Sequence, residues 1–335
     1  MTGMQPKLTT PWELSLAKPA EGETALGGAE RWTGVTVPTP WPASYGGDLC
    51  VGALSAIARS AGDAQLPHSL QVAFLRPGDR DAEVTYEVGR LRDGFRYANR
   101  AVAIRQAGTL IATGTASLRS PRAGEQNVTP ASELFPAAST LPSPDALPTA
   151  AAAIAERGDV DLGDVDLGDV DRAALLDADR AVMTALDAYW AADRALDTRH
   201  IDPPLYGATA EARTHNRLWV RFAAEHPAQD ALLATPAGRA ALIAYLADDT
   251  ILEPAIASLG LGWHAPGLFS TTVQQNVWFH ADFDPADWLL FSQRLTSRSG
   301  DHVVCEGGLF TPSGTRVASV VQEGIVRLRP AARGV

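Results

Sequence analysis

The chain is 335 residues long, 46% hydrophobic, and carries a formal net charge of -11. That length holds one large domain or two ordinary ones with a real core, and the negative balance, with no basic cluster interleaved with aromatics, speaks against a nucleic-acid partner. Cys50 and Cys305 are too few for a disulfide framework or a cysteine-built zinc site, and lysine chemistry would have to rest on Lys7 or Lys18 near the N-terminus.

The opening MTGMQPKLTTPWELS has no apolar run of signal-peptide length, and no stretch approaches the roughly 18 apolar residues of a membrane span. A cytoplasmic chain with no membrane span is expected. A short strand, RWTGVTV, begins near Arg31, and GGDLCVGALSAIARSAG follows with Leu49, Val51, Leu54, Ile57 and Ala58 at helical spacing. Next, LQVAFLRPGDRDAEVTYEVGRLRDG reads as strand, Pro-Gly-Asp turn, and a second strand ending at Gly94. RQAGTLIATGTASL adds a turn, Gly-Thr, and an alternating strand.

Residues 121 to 193 are rich in Ala, Pro, Ser and Asp and include GDVDLGDVDLGDVD, Gly158 to Asp171. Calcium-binding arrays also repeat Gly and Asp at short period, but this one is brief and lacks a glycine pair, so it reads as an exposed acidic linker or insert. The stretch from Arg172 to about Ala195 is a candidate helix closing it.

The pattern then repeats. RLWVRF precedes a helix in AGRAALIAYLADDTILEPAIASLG, with Leu242, Tyr245, Leu246, Ile251 and Leu252 at helical spacing. NVWFHADFDPADWLLFSQRLTSRSG and TPSGTRVASVVQEG follow as strands and turns. Setting Gly108 against Gly314 gives an offset of 314 - 108 = 206. Two tandem α+β units are therefore expected, each an antiparallel sheet wrapped around a long central helix. The division is 1–120, an insert at 121–193, and 194–330, with the active site in the last part.

Three polar residues fall where a core should be. In ASVVQEGIVR, Gln322 shares a face with Ala318, Val320, Gly324 and Val326. Asp248 lies on the apolar stripe of the second helix, with Asp249 turned toward Glu253 and water. In STTVQQNVWFH one face carries Val273, Gln275, Val277 and Phe279, and the other Thr272, Gln274, Asn276, Trp278 and His280. A polar solvent face explains that strand as well; coincidence with Asp248 and Gln322 favours a site. A carboxylate, a hydroxyl and an amide offer no strong nucleophile, metal ligand set or phosphate cradle, but they can hold a water for attack on an activated acyl group such as a thioester.

On YGGDLCVGAL, PHSLQVAFLRPGD and LRDG in the first half, and YLADDTIL, VWFH, WLLFSQ and VASVVQEGIVR in the second, the chain resembles the acyl-CoA thioesterase II family, the TesB-type double-hotdog thioesterases. The resemblance covers residues 12 to 119 and 194 to 328. It implies a tandem hotdog fold and hydrolysis of fatty acyl-CoA to free fatty acid and coenzyme A, a step of lipid metabolism, with Asp248, Thr272 and Gln322 holding the water. Two departures stand out: Gln274 and Gln275 where the family usually has Asp-His, and Gly-Gly-Asp with Asp48 where it has Gly-Gly-Gln. Ala116 lies opposite Gln322 by the same offset, so one competent site per chain is expected, with Asp48 capping or structural.

No cofactor is implied. The seven histidines show no close pair at ligand spacing, so no metal is expected, and no G-x-S-x-G elbow is present. Arg76, Arg92 and Arg100 are candidate contacts for coenzyme phosphates. A single hotdog leaves its sheet needing a partner; tandem units can meet that need in one chain, and family members often assemble further, so a homo-oligomer is a candidate assembly. The alternative function is a binding module that takes acyl-CoA or another acyl carrier without cleaving it.

Overall fold

The computed structural model describes residues 12–16, 30–37, 39–41, 43–61, 64–121, 140–157, 172–192, 194–222 and 227–328, with the backbone alone at 172–181 and 227–228. The acidic repeat at 158–171 lies outside the described residues. Two compact units emerge: residues up to Ala123 together with Glu225–Tyr245, and Gly124–Ala224 together with Leu246 onward.

In the first unit, β1 (Ser15–Leu16), β2 (Glu30–Gly34), β3 (Leu66–Phe74), β4 (Val84–Asp93), β5 (Tyr97–Gln106) and β6 (Thr109–Arg119) stand in the order β1-β2-β4-β5-β6-β3, with antiparallel pairing from β1 through β3. Helix α1 (Gly46–Ala61) packs on this sheet. It is buried almost all round, as a helix in the middle of a core must be. Leu49, Val51, Leu54 and Ile57 are 0–3% exposed, each worth about 1.5–3 kcal/mol of apolar burial. The β5–β6 connection is the two-residue turn Ala107–Gly108, with φ of 46° and 80°. Such left-handed pairs match strand twist and favour glycine.

The second unit repeats the order. In chain order come α2 (Ala150–Arg157), α3 (Arg172–Ala191), β7 (Leu196–His200), β8 (His215–Phe222), then α4 (Pro227–Leu233) and α5 (Pro236–Ala247), which up to Tyr245 belong to the first unit, and α6 (Glu253–Ala257), β9 (Leu268–Phe279), β10 (Leu289–Ser299), β11 (His302–Phe310) and β12 (Arg316–Leu328). Its strands run β9-β12-β11-β10-β8-β7, all antiparallel. Gly314 has φ +91°, the counterpart of Gly108 at +80°. Both units are hotdog sheets, and the tandem hotdog expected from the repeat is the fold.

One expectation needs correction. The second helix is not continuous: it stops at Ala247, and α6 resumes at Glu253 with Pro254 in its first turn. A proline there lacks the donor a through-helix needs and clashes with the preceding turn, so the chain breaks across Asp248–Leu252. Part of the insert is ordered, and the helix expected from Arg172 is present as α3. Arg157 at the end of α2 pairs with Asp187 on α3 at 2.8 Å, and residues 140–147 cover the outer face of the second sheet. There the Trp219 indole donates to the Pro142 carbonyl at 3.0 Å, and Leu141 and Leu147 pack on Trp219, Leu290 and Phe310.

Gly108→Ala should cost about 1 kcal/mol in chemical denaturation, because no heavy atom lies within 4 Å of the added Cβ and only the left-handed backbone opposes it.

Candidate active site

Asp248, Thr272 and Gln322 lie together in the second unit. Thr272 Oγ1 donates to Asp248 Oδ1 at 2.9 Å, Gln322 Nε2 donates to the same oxygen at 2.9 Å, and Gln322 Nε2 reaches Thr272 Oγ1 at 2.7 Å. Gln322 is 0% exposed, with buried Ala318, Val320, Gly324 and Val326 on its face of β12, as the alternation predicts. Its Oε1 is buried with no partner among the described residues.

Each element places its side chain for a separate reason. Asp248 is the first residue after α5, at the break and not on a helical stripe. The break packs close against β12: a Cβ at Gly324 would meet Leu252 Cδ1 at 2.7 Å and the Thr271 carbonyl at 3.0 Å, so this position of VQEG has to be glycine. Thr272 reaches the interior through a bulge. Glu323 pairs with Gln274 but Gly324 pairs with Thr272, leaving Val273 as the extra residue. The expected faces are therefore wrong on one side of the bulge: Thr272 points inward with Gln275, not outward with Gln274 and Asn276. Gln275, directly opposite Gln322 and 0% exposed, is a buried amide beside the trio. Gln274 bonds its outer-face neighbour Asn276 at 3.1 Å.

Other groups expected nearby fall elsewhere. Asp249 does not face water; its side chain is 5% exposed and ion-paired to Arg194. Asp48, 2% exposed in the first turn of α1, accepts from the Trp12 indole at 2.7 Å and the Val37 amide at 2.9 Å, tying chain segments together as a structural carboxylate. Arg100 is 1% exposed and spends its guanidinium on Ser60, Asp93 and backbone carbonyls, so it is not a phosphate contact. Cys305 is the cross-strand partner of Gln322, but burial pushes its thiol up to about 12, which withholds a thiolate nucleophile. Among the described residues no three His, Cys, Asp or Glu groups form a metal site, and no helix is long and apolar enough to cross a membrane.

A second buried polar group was missed. Asn216, Thr250, Glu253 and Gln293 are each 0–2% exposed. Asn216 alternates with Leu218 and Val220, and Gln293 with Leu289 and Phe291, so the parity that singled out Gln322 singles them out too. Burial pushes the Glu253 carboxyl up to about 7, outweighing the indole hydrogen bond from Trp263.

Chemically, the trio is a carboxylate with one oxygen held by two donors, beside an amide and a hydroxyl in an apolar enclosure. Residues 192–325 match the family model described as acyl-CoA thioesterase, and residues 37–119 match the model of the acyl-CoA thioesterase N-terminal domain. The chain belongs to the TesB-type acyl-CoA thioesterases. It is 24% identical to acyl-CoA thioesterase 2 of Haemophilus influenzae over 84% of this chain and 87% of that one. It is 24% identical to acyl-coenzyme A thioesterase 8 of Mus musculus over 85% and 81%. Among solved structures, the tesB protein of Mycobacterium avium subsp. paratuberculosis aligns with a TM-score of 0.63 at 24% identity, covering 89% of this chain and 92% of that one. This TesB-type chain thus carries the family's tandem hotdog.

Two buried groups of the second unit give opposite pH dependences. His200 is 9% exposed, both ring nitrogens lack partners among the described residues, and burial pushes it down to about 4. A depressed histidine stabilises the fold above its unfolded value of about 6.5 and loses that contribution as pH falls toward 4. Glu253, raised from 4.5 to about 7, does the reverse: its contribution is full below 4.5 and lost as pH rises through 7. Each swing is on the order of 3 kcal/mol, so they mask each other in the wild type. In urea titrations His200→Phe should lose stability from pH 5 to 7, and Glu253→Gln should gain it over the same interval.

Proposed function

We propose that the protein hydrolyses fatty acyl-CoA to free fatty acid and coenzyme A, using a water held by Asp248, Thr272 and Gln322. The observation that carries this reading is the mutual hydrogen bonding of those three side chains in the second unit, with Gln322 wholly buried. The Asp248 carboxylate is the general base of this reading. The Asp248 carboxylate takes a proton as the water oxygen attacks the thioester carbonyl; the amide and hydroxyl orient that water and steady the charge developing in the transition state. The C–S bond then breaks, and the proton returns to the leaving thiolate, giving coenzyme A thiol and the carboxylic acid, which releases its remaining proton to solvent. A thioester is electrophilic enough for direct attack, so no covalent intermediate is required.

The reading assigns the chemistry to the C-terminal hotdog, 194–330, with 1–120 as the N-terminal hotdog and 121–193 as the insert. The setting it implies is cytoplasmic lipid metabolism. Gln274–Gln275, in place of the family's Asp-His, favour a second reading in which the fold binds an acyl-CoA or acyl carrier without cleaving it. Free-thiol release from acyl-CoAs of several chain lengths separates the two; binding without release at any length would sink the hydrolase.

Asp248→Asn should lower kcat about 10²- to 10⁴-fold, the range for a lost general base, and Gln322→Ala about 10²- to 10³-fold, with circular dichroism unchanged in both. Unfolding in Gln322→Ala with undiminished turnover per folded molecule would make the amide structural instead.

A further inference from the structure

Asp248 sits between two helices, in a segment with no helical ladder of its own. Its neighbours are nevertheless anchored. Asp249 is paired with Arg194, whose guanidinium lies over the rings of Tyr189 at 4.5 Å and Trp190 at 4.3 Å. Thr250 Oγ1 accepts from Gln293 Nε2 at 2.6 Å. Gln293 Oε1 accepts from Asn216 Nδ2 at 3.2 Å, and the same amide donates to Glu253 Oε2 at 2.7 Å. Glu253 Oε1 accepts from the Trp263 indole at 2.9 Å, and the Glu253 backbone N–H returns to the Thr250 carbonyl at 2.9 Å. The result is a closed ring, Thr250 to Gln293 to Asn216 to Glu253 and back to Thr250. It is set on two adjacent strands, because Gln293 and Asn216 are direct cross-strand partners of β10 and β8.

Four side chains exposed by 0–2% are an expensive way to fill a core, since apolar groups of like shape are often neutral or better in such a place. What the ring provides that apolar packing does not is direction. Two of its side-chain links, Gln293 to Thr250 and Asn216 to Glu253, end on the segment that starts with Asp248, and the third ties Asn216 to Gln293.

We propose that Thr250, Gln293, Asn216 and Glu253 are positioning residues for Asp248, fixing the path of the 248–253 segment and so the reach of its carboxylate to Thr272 and Gln322. This rests on the reading of Asp248 as general base. None of the four touches the trio through a hydrogen bond of its own; they act through the backbone. Misplacement by about 1 Å can cost about 10²-fold in rate, and a ring cut at one link permits movement of that order.

The test compares Thr250→Val, which removes the hydroxyl and keeps the branched shape, with Thr250→Ser, which keeps the hydroxyl, in the full-length protein. Thr250→Val should lower kcat about 10- to 100-fold with KM within about twofold, and Thr250→Ser should recover to within about threefold of wild type. Gln293→Met cuts the same bond with an unbranched chain of similar length and serves if Thr250→Val folds poorly. Gln293→Met also removes the acceptor for Asn216, so the double variant should be no worse than Gln293→Met alone, which already lacks the bond lost in Thr250→Val. Crystal structures supply a readout independent of turnover: in the cut variants the Asp248 Oδ1 to Gln322 Nε2 separation should open from 2.9 Å to beyond about 3.5 Å. Folded variants with wild-type kcat, or with that separation unchanged, overturn the positioning role. A wild-type protein that cleaves no acyl-CoA overturns the hydrolase reading instead, and the crystallographic comparison then still decides whether the ring holds the carboxylate.

Discussion

A carboxylate brought into an apolar interior must be met by donors, and in the second unit that requirement shapes the chain around Asp248. The two hydrogen bonds to Asp248 Oδ1 come from strands β9 and β12, which are neighbours in the sheet. Neither would reach without local irregularity: a helix that breaks after Ala247, a strand that bulges at Val273, and a glycine at 324 that lets Leu252 press against the sheet. The break and the bulge cost backbone regularity and are offset by the polar contacts of Asp248 and Thr272, while the glycine makes room for Leu252. The irregular features are clustered where the buried carboxylate and its donors are.

The two units share strand order and a left-handed glycine at corresponding turns, yet differ inside. In the first, α1 runs unbroken for its whole length, its buried carboxylate Asp48 is spent on the Trp12 indole and the Val37 amide, and the position matching Gln322 is Ala116. In the second, the corresponding polar groups face one another. A duplicated scaffold with the proposed chemistry in one copy accounts for sheets that correspond so well and interiors that correspond so poorly.

Much of this could be read from the residues. Alternation gave the inward face of β12, and with it the oddity of Gln322; Gly-Thr turns and the offset of 206 gave the tandem arrangement. The bulge could not be read, because Val273 fits either side of a strand and only pairing with β12 shows which residue is surplus. Pro254 did carry the signal for the helix break, but the apolar spacing of Ile251 and Leu252 continued the helical pattern across it. Asp249 looked solvent-facing because its partner, Arg194, lies fifty-five residues away in sequence. The amides Asn216 and Gln293 obeyed the same parity rule as Gln322 and were legible on that ground alone.

The surplus residue in β9 divides that strand into two stretches whose sides are read in opposite sense. On the C-terminal stretch, even-numbered residues such as Gln274 and Asn276 look outward and odd-numbered ones such as Gln275 and Val277 look inward, while Thr272 looks inward on the other stretch. Gaining or losing one amino acid between Thr272 and Gln275 would exchange hydroxyl for solvent-side chain at the very place Gln322 reaches across. The spacing of those two residues is thus a tighter constraint on this strand than the identity of anything between them.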